Sequence, residues 1–282
     1  MLMDKHYPSR TRSRLSLRLS FLAAILCSFL LIQALPAISL SEAEALRIGK
    51  KIWQNECNGT VAGLTSWNNG EDFASLGIGH FIWYPNGRRG PFEESFPELV
   101  RFIAAKRVHE RSLYLPKTLD PEGRNSCPWN SRAEFLRAQQ TSEMKQLRQF
   151  LVDTIDLQAE FLVKRLENAL PKMLNEAPAA EREDVRKQFE RMTITPEGCY
   201  ALVDYVNFKG EGVLHTERYR DQGWGLLQVL EGMHGSGAGA VGEFSRSAAA
   251  VLARRVQNAP PERKESRWLS GWLNRVNSYS RG

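Results

Sequence analysis

Residues 77–84 read Gly77-Ile78-Gly79-His80-Phe81-Ile82-Trp83-Tyr84: two glycines and a histidine, followed by bulky apolar side chains. Glycine favours turns, whereas β-branched and aromatic residues favour strands. The stretch therefore predicts a turn that leads into a strand. Gly, Asn and Ser punctuate the residues before it, so we expect a small sheet of two or three strands between Thr60 and Pro85.

An amphipathic helix is predicted directly before this sheet. Ser41 and Glu44 form a Ser-x-x-Glu capping box. Apolar side chains follow at mostly helical spacing, namely Ala45, Leu46, Ile48, Ile52 and Trp53. Asn58-Gly59 is a stop signal, which puts Glu56 in the last helical turn. A carboxylate there faces the negative end of the helix dipole. Glu56 is therefore either a functional acid or a solvated residue that tolerates a small penalty.

After the sheet the patterns are helical. A polar, proline-containing loop is expected at about 109–129, and Thr195-Pro196-Glu197 is a strong helix start. Helices are predicted at 95–106, 131–140, 142–152, 155–175, 179–191, 196–209, 224–233, 244–257 and 268–276. The clear strand signal is confined to residues 72–84. The chain is thus predicted to have an α+β fold that is mainly α.

The N-terminus has the pattern of a secretory signal peptide. A basic head precedes an uncharged run from Leu19 to Ile32, and the small residues Ala37 and Ser39 follow. The run is short for a span of ~30 Å of hydrocarbon. We therefore expect residues 1–39 to be removed, which leaves a periplasmic or secreted protein without a stable membrane span.

Charge and cysteine content restrict the partners further. Loss of residues 1–39 removes five basic residues and Asp4, and the net charge falls from +6 to about +2. No Lys/Arg stripe indicates nucleic acid as a partner. Three cysteines remain, and one disulfide with one free thiol is the simplest expectation in an oxidising compartment. No spacing suggests a zinc site and no nucleotide motif is present, so neither a metal nor a cofactor is expected.

Three segments resemble the phage-type lysozymes. Ser75-Leu76-Gly77-Ile78-Gly79-His80-Phe81 is similar to the Thr-x-Gly-x-Gly-His signature of that family, whose first helix ends in a catalytic Glu, as Glu56 does here. Residues 198–212 resemble the buried central helix of the family, and residues 268–276 its closing Gly-Leu-x-x-Arg-Arg helix. Residues 86–193 are left unmatched and are interpreted as a helical insert.

The resemblance implies a lysozyme-like fold and activity. We expect residues 40–282 to form a single domain, with a small β-containing lobe at about 58–90, a larger helical lobe, and the cleft between them. The implied reaction is hydrolysis of β-1,4 bonds between the aminosugars of peptidoglycan by a monomeric enzyme. One protonated carboxyl must donate to the leaving oxygen while a second carboxylate activates water. Glu56 is the candidate acid, kept protonated by burial beside Trp53 and the apolar β-segment.

The second carboxylate stays open. In the family an Asp stands six residues before the Thr of the signature, but counting back from Ser75 gives Asn69, which cannot be a strong base. Glu71 is the first candidate and Asp72 the next, although both would also suit a solvated turn. Glu211 is a third possibility. Ser75, in place of the family's Thr, is expected to orient the water through its hydroxyl.

Other candidates are expected to line the cleft and bind substrate. They are Asp72, His80, Trp83, Tyr84, Asn207, Lys209 and Glu211. The resemblance implies that His80 is structural and tied to a carboxylate. The aromatic side chains would stack on sugar rings, although aromatics at strand spacing are more often core residues.

Two alternative functions remain at this point. The first is another activity of the lysozyme superfamily, such as a chitosanase or a lytic transglycosylase, which needs only the acid. The second is a non-catalytic glycan-binding protein of the cell envelope. The absence of an acid at Asn69 favours the second alternative.

Overall fold

Helix α1, Glu42–Cys57, begins and ends as the sequence predicts. The Ser41 hydroxyl accepts a hydrogen bond from the backbone N–H of Glu44, and the Glu44 carboxylate accepts one from the backbone N–H of Ser41. At the other end Asn58 adopts the left-handed conformation, with φ of 52°. The helix therefore stops one turn after Trp53, and Glu56 lies at its C-terminal end.

The computed structural model describes residues 38–90, 92–107 and 115–281. The predicted signal peptide lies outside these residues, apart from positions 38 and 39. Nine further helices follow α1 in the described ranges: α2 Phe96–Arg107, α3 Arg132–Arg137, α4 Ser142–Asp153, α5 Ile155–Glu176, α6 Arg182–Thr193, α7 Pro196–Lys209, α8 Leu226–Glu231, α9 Ala240–Asn258 and α10 Ser266–Ser278. Every predicted helix is present, and the α+β, mainly α class is confirmed.

The predicted sheet is also present, as a three-stranded antiparallel meander. Its strands are β1 Thr65–Ser66, β2 Ala74–Leu76 and β3 Phe81–Trp83, with β2 in the centre. Gly77 turns the chain between β2 and β3 with φ of +71°, a conformation that glycine adopts without strain. A Cβ at Gly77 would lie 2.4 Å from Oε1 of Gln158.

Gln158 ties this turn to the helical part of the molecule. Its Oε1 accepts a hydrogen bond of 2.9 Å from the backbone N–H of Ile78, and its amide nitrogen donates to the carbonyl of Leu151 at 2.7 Å. The Gln158 side chain is completely buried. The glycine-rich turn is thus held at a fixed place against α5.

A second sheet was not predicted. Strands β4 Arg218–Tyr219 and β5 Gln222–Gly223 form an antiparallel hairpin around Arg220 and Asp221, which both have positive φ. Each strand has two residues, too few to show an alternating pattern of apolar and polar side chains.

The core forms where the helices cross. Helix α1 packs on α5, and the two backbones approach closely at Gly49, where a Cβ would lie 2.7 Å from Ile155. All side chains of α7 from Cys199 to Tyr205 are buried. This burial agrees with the central position expected for that helix.

The cysteine prediction was wrong. Cys57, Cys127 and Cys199 are all free thiols, each buried at a different place in the fold. Burial raises the pKa of the Cys57 thiol to about 12, with a further contribution from the charge of Glu56. A cysteine in this setting behaves as a small apolar side chain.

Among the residues that the structure describes, none of the helices combines the length and the apolar character that crossing a membrane requires.

Candidate active site

Glu56 lies at the end of α1 with 16% of its side chain exposed. It is neither a core residue nor a freely solvated one. Its immediate partners are polar, which differs from the apolar surroundings expected from the sequence. One carboxylate oxygen accepts a hydrogen bond from the Arg275 guanidinium, and the other lies 3.8 Å from Nδ1 of His80.

Arg275 comes from helix α10, near the other end of the chain. It joins Glu56 to a second carboxylate, Asp204 on α7. The guanidinium meets Asp204 with two bonds of 2.8 Å, from Nε and from Nη2, in the fork geometry that suits a carboxylate. Two acids therefore share one guanidinium. Burial would lower the pKa of Arg275, but Asp204 first and then Glu56 raise it well above its ordinary value.

Asp204 is completely buried and fully engaged. Besides the two bonds from Arg275, it accepts bonds of 2.6 Å from the Tyr279 hydroxyl and 3.1 Å from the Asn55 amide. Burial, and then the charge of Asp204, raises the pKa of the Tyr279 hydroxyl well above its usual range, so that Tyr279 stays a donor. With four donors on its two oxygens, Asp204 has little capacity left to act as a base.

His80 stands between two side chains of the α1 terminus. Its Nε2 lies 3.7 Å from Sγ of Cys57, while its Nδ1 faces Glu56. His80 has φ of 49°, a left-handed conformation that a non-glycine residue rarely adopts. The turn thus directs the imidazole toward Glu56. The carboxylate that the imidazole faces is therefore the candidate acid itself.

The predicted second acids lie in the turn between β1 and β2. Glu71 accepts a bond of 3.2 Å from Asn68 through Oε1, and its Oε2 is buried without a hydrogen-bond partner among the described residues. The contacts that hold Glu71 come from its own turn and not from Glu56 or Arg275. Asp72 is a surface residue, 80% exposed, 3.5 Å from Arg88.

Ser75 lies in the central strand β2 and is 4% exposed. It pairs with Ser66 on one side and Ile82 on the other. This position puts Ser75 in the sheet next to the glycine-rich turn, as the Ser-x-Gly-x-Gly-His spacing requires.

Trp83 and Tyr84 are core residues, each 1% exposed. Trp83 packs against Phe96 with ring centroids 4.9 Å apart, and Tyr84 against Phe73 at 5.4 Å. Neither ring face is open to a sugar, because both are covered by neighbouring side chains. Their expected stacking role therefore has no accessible surface in this fold.

The candidates at the end of α7 are more accessible. Asn207 is half-buried on the helix that carries Asp204. Glu211 follows the helix and lies 3.1 Å from Nζ of Lys172, with 24% of its side chain exposed. Glu211 is thus engaged with a lysine of α5.

Lys209, at the last turn of α7, was expected to line the cleft together with Asn207 and Glu211. Its Nζ lies 3.9 Å from the centroid of the Phe208 ring and 3.5 Å from that of Trp272. Burial, then the charge of Arg255, lowers the pKa of Lys209 to about 7, although Glu265 opposes the shift. At neutral pH Lys209 therefore carries its positive charge only part of the time, between two aromatic rings near Arg275.

Arg275 and Asp204 were not predicted as site residues. A signal for Asp204 existed, because a lone carboxylate within Leu202-Val203-Asp204-Tyr205-Val206 is rarely buried unless it is paired. Nothing local identifies its partner, which lies 71 residues away along the chain.

Within the described part of the chain, no group of three or more His, Cys, Asp or Glu side chains is arranged to hold a metal ion. Comparisons with protein-family models, with curated proteins and with solved structures found no match for this chain.

Proposed function

We propose that this protein is an exported glycoside hydrolase that cleaves β-1,4 bonds of peptidoglycan, with Glu56 as the general acid. The observation that carries the proposal is the position of Glu56: a partly exposed carboxyl at a helix end, oriented by Arg275 and His80. A reacting acid must be both reachable by substrate and held in one place. Glu56 meets both conditions.

The two carboxylates that share Arg275 differ in their accessibility to a substrate. Asp204 accepts four hydrogen bonds in a buried position, whereas Glu56 accepts one and is partly exposed. Glu56 is therefore the carboxyl of the two that a glycosidic oxygen could reach, and as general acid it would donate a proton to that oxygen.

Glu71 is the residue we propose for activating water. Its buried Oε2 lacks a hydrogen-bond partner among the described residues, which is costly unless another group, such as a water, satisfies it. Ser75 lies in strand β2, which follows this turn, and would help to orient that water. The other predicted acids are engaged by Arg88 and Lys172.

A second candidate function, a lytic transglycosylase, is favoured by one observation. The second carboxylate bound to Arg275, beside Glu56, is Asp204, and its oxygens are already occupied by hydrogen-bond donors. A transglycosylase needs no water-activating carboxylate, so Glu56 alone would suffice.

The test is clearing of purified cell walls by wild-type protein, Glu56→Gln and Glu71→Gln. Loss of general acid catalysis should lower the rate of Glu56→Gln by about 10²–10⁴-fold. Hydrolysis predicts that Glu71→Gln is also strongly impaired and that products contain the added water. A transglycosylase predicts an active Glu71→Gln and products lighter by one water, measured by mass spectrometry. If Glu56→Gln retains full activity, or the wild type binds walls without cleaving them, the hydrolase proposal is wrong.

The same proposal includes the localisation and the oligomeric state of the protein. We infer a periplasmic or secreted monomer, released by cleavage after Ser39. N-terminal sequencing of the exported protein and its sedimentation behaviour test these two points.

A further inference from the structure

One face of helix α10 carries two tryptophan side chains and the arginine that binds Glu56. Trp268, Trp272 and Arg275 are spaced by four and three residues, so they lie on the same side of the helix. Arg275 is the residue that holds Glu56. From Trp268 to Arg275 the helix rises by about 10.5 Å. The aromatic residues thus extend outward from the proposed catalytic acid.

The rings form a continuous series. Trp268 and Trp272 have centroids 6.0 Å apart and planes inclined by 31°, and Trp272 lies 6.4 Å from Phe208. Cζ of Arg275 lies 4.2 Å from the centroid of Phe208. We call Trp268, Trp272 and Phe208 the aromatic arm.

Exposure distinguishes the arm from the core. Trp268 is 43% exposed, and Trp272 and Phe208 are partly exposed. A tryptophan buries a large apolar area when it is covered, and it is among the residues that most often dominate binding surfaces. An exposed tryptophan in line with a reactive carboxyl therefore suggests a substrate contact and not a packing contact.

Two cations border the arm. Nζ of Lys209 lies between Trp272 and Phe208, and Cζ of Arg267 lies 4.3 Å from the Trp268 ring. Neither forms a salt bridge with a carboxylate among the described residues, although the charge of Glu265 acts on Lys209. Arg255, which also lies over Trp272 at 5.0 Å, is already paired with Glu265 by bonds of 2.8 and 2.9 Å. Arg267 is therefore the exposed cation that a ligand can reach, and Lys209 is a partly buried one at the base of the arm.

We propose that the aromatic arm is an extended subsite for a glycan strand that carries carboxylate groups. The apolar face of a sugar ring would stack on Trp268, the exposed end of the arm, while Arg267 and Lys209 attract the carboxylates. The inference rests on the proposed function, since it extends the same strand that Glu56 would cleave. The proposed ligand is an anionic aminosugar polymer, and not neutral chitin or a second copy of this chain.

The experiment measures binding without turnover. Full-length protein carrying Glu56→Gln is co-sedimented with insoluble peptidoglycan, with its carboxyl groups intact or converted to amides, and with chitin. Adding Trp268→Ala should weaken binding to intact peptidoglycan about tenfold, equivalent to about 1.4 kcal/mol. Ile194→Ala is the control, because Ile194 is 77% exposed and precedes the first turn of α7, at the opposite end of that helix from Phe208. This control should bind like its parent.

Lys209→Gln tests the charge. It should weaken binding to intact peptidoglycan severalfold but leave binding to the amidated polymer unchanged. Equal loss on both polymers, tighter binding of the parent to chitin, or full binding by Trp268→Ala would overturn the proposal. A change of oligomeric state in Trp268→Ala would also overturn it, because the arm would then be a contact between copies. Circular dichroism verifies that each variant is folded.

The outcomes separate this inference from the proposed function. If Trp268-dependent binding is found but wild-type protein cleaves nothing, the aromatic arm stands and the hydrolase proposal fails. If Glu56→Gln abolishes cleavage while Trp268→Ala binds normally, the hydrolase stands and the aromatic arm fails.

Discussion

Replacing Asp204 by Asn should destabilise the protein more than any other single change of charge near Glu56. The substitution preserves the shape of the side chain but removes its charge. In the native structure Asp204 accepts four hydrogen bonds, two of them from Arg275. An asparagine offers one oxygen and directs an NH2 group at donors that cannot accept. Arg275 then keeps its charge in a largely buried place with only Glu56 as a partner.

The size of the effect follows from the burial of the pair. Asp204 is completely buried and the Arg275 side chain is 16% exposed. Breaking a buried ion pair by removing one partner costs about 3–5 kcal/mol. A domain of this size loses about 2–4 °C of Tm per kcal/mol, so we expect Tm to fall by about 6–20 °C. Thermal unfolding followed by circular dichroism at neutral pH measures the change.

Asp221→Asn is the matched control. Asp221 is exposed in the β4–β5 turn at φ of 60°, a conformation that Asn also tolerates. Its Tm should stay within about 1–2 °C of the wild type, since surface substitutions away from special features change stability by within about 0.5 kcal/mol. A Tm of Asp204→Asn equal to that of the control would refute the reasoning, because the cluster would then contribute nothing to stability.

A double variant sharpens this test. Arg275→Met alone leaves Asp204 buried without its cation, whereas Asp204→Asn combined with Arg275→Met leaves no uncompensated charge in the pair. The double variant should therefore be more stable than the sum of the two single losses predicts. Coupled neighbours differ from additivity by about 0.5–3 kcal/mol. Strict additivity would mean that the two side chains do not stabilise each other.

Two further predictions concern the surroundings of the site. Lys209→Met should abolish a rise in stability with pH. Burial lowers the pKa of Lys209 to about 7 in the folded protein, whereas its pKa is about 10.4 in the unfolded chain. Between these two values the unfolded state binds more protons, so the stability of the wild type increases with pH. Equal slopes of urea-derived stability between about pH 7 and 10 in the wild type and the variant would contradict this prediction. Gly77→Ala should lower stability by at least about 1–2 kcal/mol, because φ is +71° and the new Cβ meets Gln158. In contrast, Gly271→Ala, in open space on α10, should stabilise by up to about 1 kcal/mol; similar effects at the two glycines would show that the turn is not strained.

Much of the architecture is encoded locally and could be predicted. The capping box at Ser41, the proline start at Pro196 and the glycine-rich turn at Gly77 each act within a few residues, so their patterns are visible along the chain. The helix ranges and the three-stranded sheet followed from them. The hairpin β4–β5 escaped because its strands are too short to show a period.

The candidate site could be predicted only in part. Glu56 and His80 were found because they belong to one short segment, and that segment has a recognisable spacing. Their key partner, Arg275, lies 219 residues beyond Glu56, and the bond between them exists only because α1, α7 and α10 converge. Composition and periodicity carry no information about which distant charges meet.

Burial decides which of the aromatic candidates can contact a substrate, and residue type alone does not. Trp83 has the chemistry of a sugar-stacking residue, but close packing against Phe96 places it in the core, while Trp268 is left exposed in line with Glu56. A side chain's chemistry is a property of the sequence. Its accessibility is set by every element that packs against it, because burial depends on neighbours from distant parts of the chain.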